Sequence, residues 1–202
     1  DLDMLTEEEK RQLLVDFNKC ASGFVNHKTL RQLFEEQVEK TADHIAVVGN
    51  NNHEGHEGHE GHEGFISLTY NELNKKANGL AHYLYGRGVK ENDRVGIMVE
   101  RSLEMIIGIL GILKAGCAYV PLNPKAPEAR SKYILDECSI KILLTAPDIF
   151  SVSSVSSVAK KTPVTSFAYI IFTSGSTGKP RGVPITHANI CPLLHWGYKH
   201  LG

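Results

Sequence analysis

The 202-residue sequence has no long hydrophobic run, no excess of either charge, one tryptophan and only four cysteines. Its longest apolar stretch, around Met105–Leu113, is too short and too interrupted to span a bilayer. The opening Asp-Leu-Asp-Met-Leu has no basic region followed by an apolar one, so no secretory signal is visible. A net charge of −1 supplies no electrostatic case for nucleic acid or for acidic membranes. Cys20, Cys117, Cys138 and Cys191 are scattered without a C-x-x-C pair, which reads as small buried hydrophobes in a reducing compartment. The expectation is a cytoplasmic protein that binds neither nucleic acid nor membrane.

With 42% hydrophobic and 22% charged residues, the composition is that of an ordinary globular protein, long enough for one domain or a little more. Thr6-Glu7-Glu8-Glu9 forms a capping box, followed by Leu13, Leu14 and Phe17 at helical spacing. Residues 18–26 read as a linker, and a second amphipathic helix is expected over 29–40. The β-branched runs 45–48 and 65–69 predict a hairpin.

Helices and strands alternate from there. Helices are predicted from Tyr70 to Gly86, from Ser102 to Gly116 and over 128–138, with strands at 94–99, 118–122, 140–144 and 169–173. A last helix begins near Thr186, with Pro192 expected to kink or interrupt it. The alternation predicts an α/β fold of layered βαβ units with a largely parallel sheet.

Two segments are repetitive. Residues 53–64 are four copies of His-Glu-Gly, within a tract at 51–64. Glycine at every third place opposes a helix and leaves the histidines unpositioned, so a disordered insertion is expected there rather than a metal site. Residues 151–159, Ser-Val-Ser-Ser-Val-Ser-Ser-Val-Ala, also repeat in threes and leave the arrangement between Leu144 and Phe167 open.

The densest chemistry lies at 172–183, Phe-Thr-Ser-Gly-Ser-Thr-Gly-Lys-Pro-Arg-Gly-Val. Three glycines (Gly175, Gly178, Gly182), four hydroxyls (Thr173, Ser174, Ser176, Thr177) and two cations (Lys179, Arg181) follow the apolar run Tyr169–Phe172. Glycines permit a backbone nest of N–H donors, while Lys and Arg add charge-assisted bonds, which together suit phosphate oxygens. The G-x-x-x-x-G-K-[ST] loop fails at Pro180, and the dinucleotide G-x-G-x-x-G fails at Thr177.

The order of these residues resembles the T-S-G-S-T-G-x-P-K-G loop of adenylate-forming enzymes, with Arg181 in place of the usual Lys. Leu68-Thr69-Tyr70-Asn71-Glu72-Leu73 resembles the L-[TS]-Y-x-E-L helix entry of the same family. The run from Leu113 to Pro124 resembles its L-K-A-G-x-A-Y-V-P-L-D-P segment, with Asn123 for Asp. Within that family the sequence is most similar to amino-acid adenylation domains of nonribosomal peptide synthetases.

The resemblance implies the incomplete N-terminal part of the large domain of such an enzyme over 27–202. Residues 1–26 would be a linker after a condensation domain. It implies that Thr173, Ser174, Gly175, Ser176, Thr177, Gly178, Lys179, Arg181 and Gly182 hold the phosphates of ATP, which arrives with Mg²⁺. No catalytic residue is assigned. The family's adenine, ribose and acid-binding segments and its catalytic Lys have no counterpart among these residues. Implied partners are therefore the remainder of the adenylation domain, an amino or hydroxy acid, and a peptidyl carrier domain bearing phosphopantetheine.

Two alternatives stay open: a piece of an acyl- or aryl-CoA ligase, and a non-catalytic relic or assembly fragment that docks to another chain. His187, where the family commonly has a His, reads as a structural histidine, and Trp196 and Tyr198 as packing residues.

Overall fold

A computed structural model describes residues 6–12, 28–50, 65–157, 166–174 and 179–201. The His-Glu-Gly tract, the stripe of Leu13, Leu14 and Phe17, and Cys20 lie outside the described residues.

The first two helices start as the sequence predicts. α1 (Glu7–Arg11) and α2 (Leu30–Thr41) each open on a reciprocal capping box, Thr6 with Glu9 and Thr29 with Gln32. β1 (Ile45–Asn50) and β2 (Phe65–Thr69) form the expected antiparallel hairpin, with Asn50 opposite Phe65. Tract 51–64 thus connects two residues that face each other on one rung.

Thr69 and Glu72 then cap α3 (Tyr70–Gly86), which ends where Gly88 takes a φ of +81°. β3 (Arg94–Ile97) leads to α4 (Leu103–Lys114), capped by Ser102 and stopped at Gly116, φ +74°. β4 (Ala118–Pro121), α5 (Glu128–Glu137), β5 (Leu143–Leu144) and the short α6 (Ala146–Phe150) follow. β6 (Phe167–Ser174), β7 (Pro180–Thr186) and α7 (His187–Leu201) complete the described chain.

The main sheet has the order β5-β3-β4-β6-β7. The first four strands are parallel and β7 is antiparallel to β6. Helices cover both faces. Val95, Ile97 and Leu144 pack beneath α3 and α4 with Leu80, Leu84 and Ile112. Val120, Leu122 and Ile170 pack on the opposite face with Ile134 and Cys138 of α5. The two helices of the first layer approach closely at Gly111, where an added Cβ would stand 2.6 Å from Leu80 Cδ2.

α2 is fastened to α4 by buried charge. Lys114 is 1% exposed, and its Nζ lies 2.6 Å from Glu35 Oε1 and 5.7 Å from the Phe34 ring centre. Arg31 Nε donates to the same carboxylate at 3.0 Å, and Tyr85 Oη donates to the Lys114 carbonyl at 3.2 Å. Burial holds the Lys114 ammonium below its ordinary pKa, partly offset by Glu35.

The repetitive segment after α6 is a strap laid across α3. Val155 N–H donates to the Lys75 carbonyl at 3.0 Å, and Asn78 Nδ2 donates to the Val155 carbonyl at 3.1 Å. The strap passes over Gly79, where a Cβ would lie 1.9 Å from the Ser153 oxygen. Residues 151–157 therefore form no strand, and 158–165 lie outside the described residues.

Two expectations are corrected. Of the kink or interruption expected at Pro192, the interruption does not occur, since α7 runs through it. It sits in the second turn, so it forgoes a single helical bond. The start of the helix is secured by Thr186 and Asn189, whose side chains each accept the other's N–H at 3.1 and 3.2 Å. The second correction is β7, a strand where the sequence predicts none. Pro180, Gly182 and Pro184 are poor strand formers, and they are accommodated because β7 is the edge strand.

Candidate phosphate-binding hairpin

β6 and β7 build the candidate site as a hairpin. Along β6 the side chains alternate, with Ala168 and Ile170 buried and Ile171 exposed. Tyr169 stacks on Tyr119 of β4 with ring centres 5.2 Å apart, and burial pushes the Tyr119 phenol up to about 12. Parallel pairing with β4 fixes the direction of β6, so the connection after Ser174 leaves from the carboxyl end of the sheet. Ligands of open α/β sheets bind at that end.

The register across the hairpin sets the predicted residues opposite one another. Thr173 faces Arg181, Ser174 faces Pro180 and Phe172 faces Gly182. Thr173, Ser174, Lys179 and Arg181 are all exposed, and neither cation has an ion-pair partner among the described residues. Two hydroxyls and two unpaired cations thus border the mouth of one connection. Gly182 packs tightly under its neighbour across the hairpin, since a Cβ there would stand 3.0 Å from Phe172 Cζ. Gly175, Ser176, Thr177 and Gly178 lie outside the described residues.

The described tip residues offer hydroxyl donors and positive charge with no carboxylate. That set fits the oxygens of a phosphate chain better than a divalent cation. Beyond the carboxyl ends of β3 and β4, Lys125 and Glu100 form an exposed ion pair at 3.0 Å. The sequence pattern does not single out this pair, because neither residue belongs to a motif.

His187 is not part of the mouth. It is 1% exposed, and its Nδ1 accepts the Leu30 N–H at 3.2 Å. That bond places the ring proton on Nε2. Burial pulls its pKa down to about 4, so the ring is a neutral acceptor tying α7 to the start of α2. Cys191, one turn later, donates from Sγ to the Lys28 carbonyl at 3.4 Å. Trp196, expected to pack, is 49% exposed. Cys117, Cys138 and Cys191 are buried free thiols, as expected. No helix among the described residues is long and apolar enough to cross a membrane.

Comparison with known proteins adds to this geometry. A family model described as AMP-binding enzyme matches residues 34–200. The chain is 42% identical over 213 residues to gramicidin S synthase 2 of Brevibacillus brevis, covering 97% of this chain and 4% of that protein. It is 42% identical over 217 residues to tyrocidine synthase 3 of Brevibacillus parabrevis, covering 97% of this chain and 3% of that one. The chain therefore spans a small fraction of the length of these relatives.

Among solved structures, the fold matches the nonribosomal peptide synthetase FmoA3 in an AMPPNP-bound form, with a TM-score of 0.77 and 23% identity over 95% of this chain and 21% of that one. It also matches the N-terminal subdomain of Klebsiella oxytoca NpsA, with a TM-score of 0.66 and 25% identity over 80% of this chain and 42% of that one.

Proposed function

The chain belongs to the AMP-binding enzyme family, and on that premise we propose that it supplies the phosphate-binding part of a domain that activates an amino acid, or a related carboxylic acid, as an acyl-adenylate for nonribosomal peptide synthesis. A carboxylate oxygen of the acid attacks the α-phosphorus of ATP, the new P–O bond forms, and pyrophosphate leaves with the electrons of the broken bond. Charge builds on the phosphorus oxygens and on the departing pyrophosphate, so fixed donors and cations aimed at them carry the catalysis.

The observation that supports this most directly is the hairpin mouth, where exposed Thr173, Ser174, Lys179 and Arg181 border one connection at the carboxyl end of the sheet. Thr173, Ser174, Ser176 and Thr177 would donate hydroxyl bonds to the terminal phosphates. Gly175, Gly178 and Gly182 would let the backbone come close, and Lys179 and Arg181 would neutralise charge. Mg²⁺ would come with the nucleotide.

Residues 27–202 would form the N-terminal part of the adenylation domain and residues 1–26 a linker from a condensation domain. The rest of the domain would bring the adenine and acid pockets. A carrier domain bearing phosphopantetheine would take the acyl group as a thioester in the cytoplasm.

Amino-acid-dependent exchange of labelled pyrophosphate into ATP tests this. A polypeptide that contains this chain and the remainder of the domain is assayed against a panel of amino and hydroxy acids. Exchange with one or a few acids is expected. No exchange with any acid overturns the assignment in favour of a non-catalytic fragment.

A further inference from the structure

A cleft of about 110 Å³ lies where β2, α3, α4, α6 and the strap meet, away from the hairpin. Leu68, Leu103, Ile107 and Ile149 are buried and form its floor. Ile66, Val152 and Phe150 form the rim, Phe150 being 65% exposed. β3 and β5 lead into α4 and α6, so the cleft lies at the carboxyl end of the sheet, where open α/β sheets take their ligands. An apolar cavity of about 150 Å³ holds one benzene, so this one has room for a single branched aliphatic side chain.

Only two of the lining residues are charged, and their signs are opposite. Lys76 comes from α3 and Glu104 from the first turn of α4, and both are half-buried. Neither has an ion-pair partner among the described residues. Glu72, one turn before Lys76, is committed to the cap of α3, where it accepts the Thr69 N–H and hydroxyl at 2.9 Å each. Partly buried charges without partners are costly, so each would gain from a counter-charge brought by a ligand. An apolar floor flanked by one cation and one anion is complementary to a zwitterion that carries an apolar group.

We propose that this cleft binds a free α-amino acid with an aliphatic side chain. The side chain fills the floor, Lys76 meets the carboxylate and Glu104 meets the ammonium. A fatty acid would leave Glu104 unpaired, an apolar amine would leave Lys76 unpaired, and an internal peptide segment would bring neither terminus between them. Five elements enclose the cleft, which suits a small molecule rather than a strand or helix laid along a groove. None of the lining residues belongs to the hairpin of β6 and β7. This is therefore a second acid site, beyond the one implied for the reaction proposed above, and it stands whether or not the hairpin holds phosphate.

The test is photo-crosslinking, which needs no catalytic activity. The complete adenylation domain that carries this chain is irradiated with L-photo-leucine, a diazirine analogue of leucine, and the adducts are mapped by peptide mass. Adducts are expected within 66–68, 103–107 and 149–152, the segments that line the cleft, and unlabelled leucine should displace them. Isocaproic acid and isoamylamine, which each lack one of the two charges, should compete at least about tenfold less well, the value of one charge-assisted contact. Lys76→Met and Glu104→Gln should each lower the adduct yield in the cleft by a similar factor and leave adducts elsewhere unchanged.

Absence of adducts from all three segments overturns the proposal. So does equal competition by leucine, isocaproic acid and isoamylamine, because the cleft would then read apolar surface alone. Unchanged cleft adducts in both variants would have the same consequence. The competition uses the unsubstituted domain, so a variant that fails to fold does not shelter the proposal. Cleft adducts without pyrophosphate exchange would remove the proposed activity and leave this site standing, whereas exchange without cleft adducts would remove this site alone.

Discussion

Lys114 and Glu35 are 79 positions apart in sequence and 2.6 Å apart in space, and the lysine is all but sealed from water. The carboxylate is shared, since Arg31 Nε also reaches it at 3.0 Å. Glu35 therefore serves two cations, one of them at the deepest point of the α2–α4 junction.

This asymmetry ranks two substitutions. Glu35→Ala leaves Lys114 buried without a counter-charge and should destabilise by about 3–5 kcal/mol. Lys114→Met removes the buried charge itself and leaves Glu35 with Arg31, so the loss should be smaller. Because burial lowers the Lys114 pKa, the unfolded state holds the proton more tightly. Its contribution to stability should therefore increase as pH rises towards the ordinary lysine value. Urea unfolding of both variants checks the order, and a larger loss for Lys114→Met would refute it.

His187 should make the fold acid-sensitive. Its pKa is about 4 when folded and near 6.5 when exposed, so below 6.5 the unfolded chain binds a proton that the folded one refuses. Stability is fully present above about pH 6.5 and falls as pH drops towards 4, by up to about 3 kcal/mol. Protonation also turns the acceptor facing Leu30 N–H into a donor. In His187→Gln the amide oxygen can replace the acceptor without titrating. Its unfolding midpoint between pH 7 and 4.5 should change less than that of the parent protein, and parallel curves would rule out this role.

The strap over α3 depends on a missing side chain. Gly79→Ala should force the Ser153 carbonyl away and break the bonds at Lys75 and Asn78, at a cost of roughly 1–3 kcal/mol. Limited proteolysis within 151–157 should accelerate in this variant. Gly86→Ala, with nothing within 4 Å of the new Cβ, is the control and should leave the strap intact.

Lys179→Ala and Arg181→Ala should each lower pyrophosphate exchange in the complete domain by roughly 10- to 100-fold, the range expected for one charge-assisted phosphate contact. Arg181→Lys should retain most activity, because positive charge survives while the planar fork is lost. Both cations are exposed and have no ion-pair partner among the described residues, so the unfolding midpoint should not move. Exchange unaffected by either alanine would show that the hairpin does not hold the phosphates.

Elements with local signatures were legible in the sequence. Thr6 with Glu9 announces α1 by capping chemistry, amphipathic spacing announces α2, and two β-branched runs announce the hairpin of β1 and β2. The order of the loop residues marks them as a candidate set, and the structure shows that Thr173, Ser174, Lys179 and Arg181 flank one connection. What could not be read depends on partners distant in sequence. β7 lacks strand composition and exists because β6 offers it a ladder. The strap is held by a groove at Gly79 that only folding creates. Lys114 was visible within its motif, but the carboxylate that makes its burial tolerable lies on another helix. The facing of Thr173 and Arg181 follows from register, which the linear motif does not encode.

Asn50 and Phe65 are register partners, so the segment between them begins and ends on one rung of a closed ladder. Its length is a nearly free variable, because each doubling of such a connection costs only about 0.6 kcal/mol of closure entropy. The hairpin of β1 and β2 is therefore a port, where the histidine tract can be removed, lengthened or exchanged for a reporter while the sheet that carries the candidate site stays as it is.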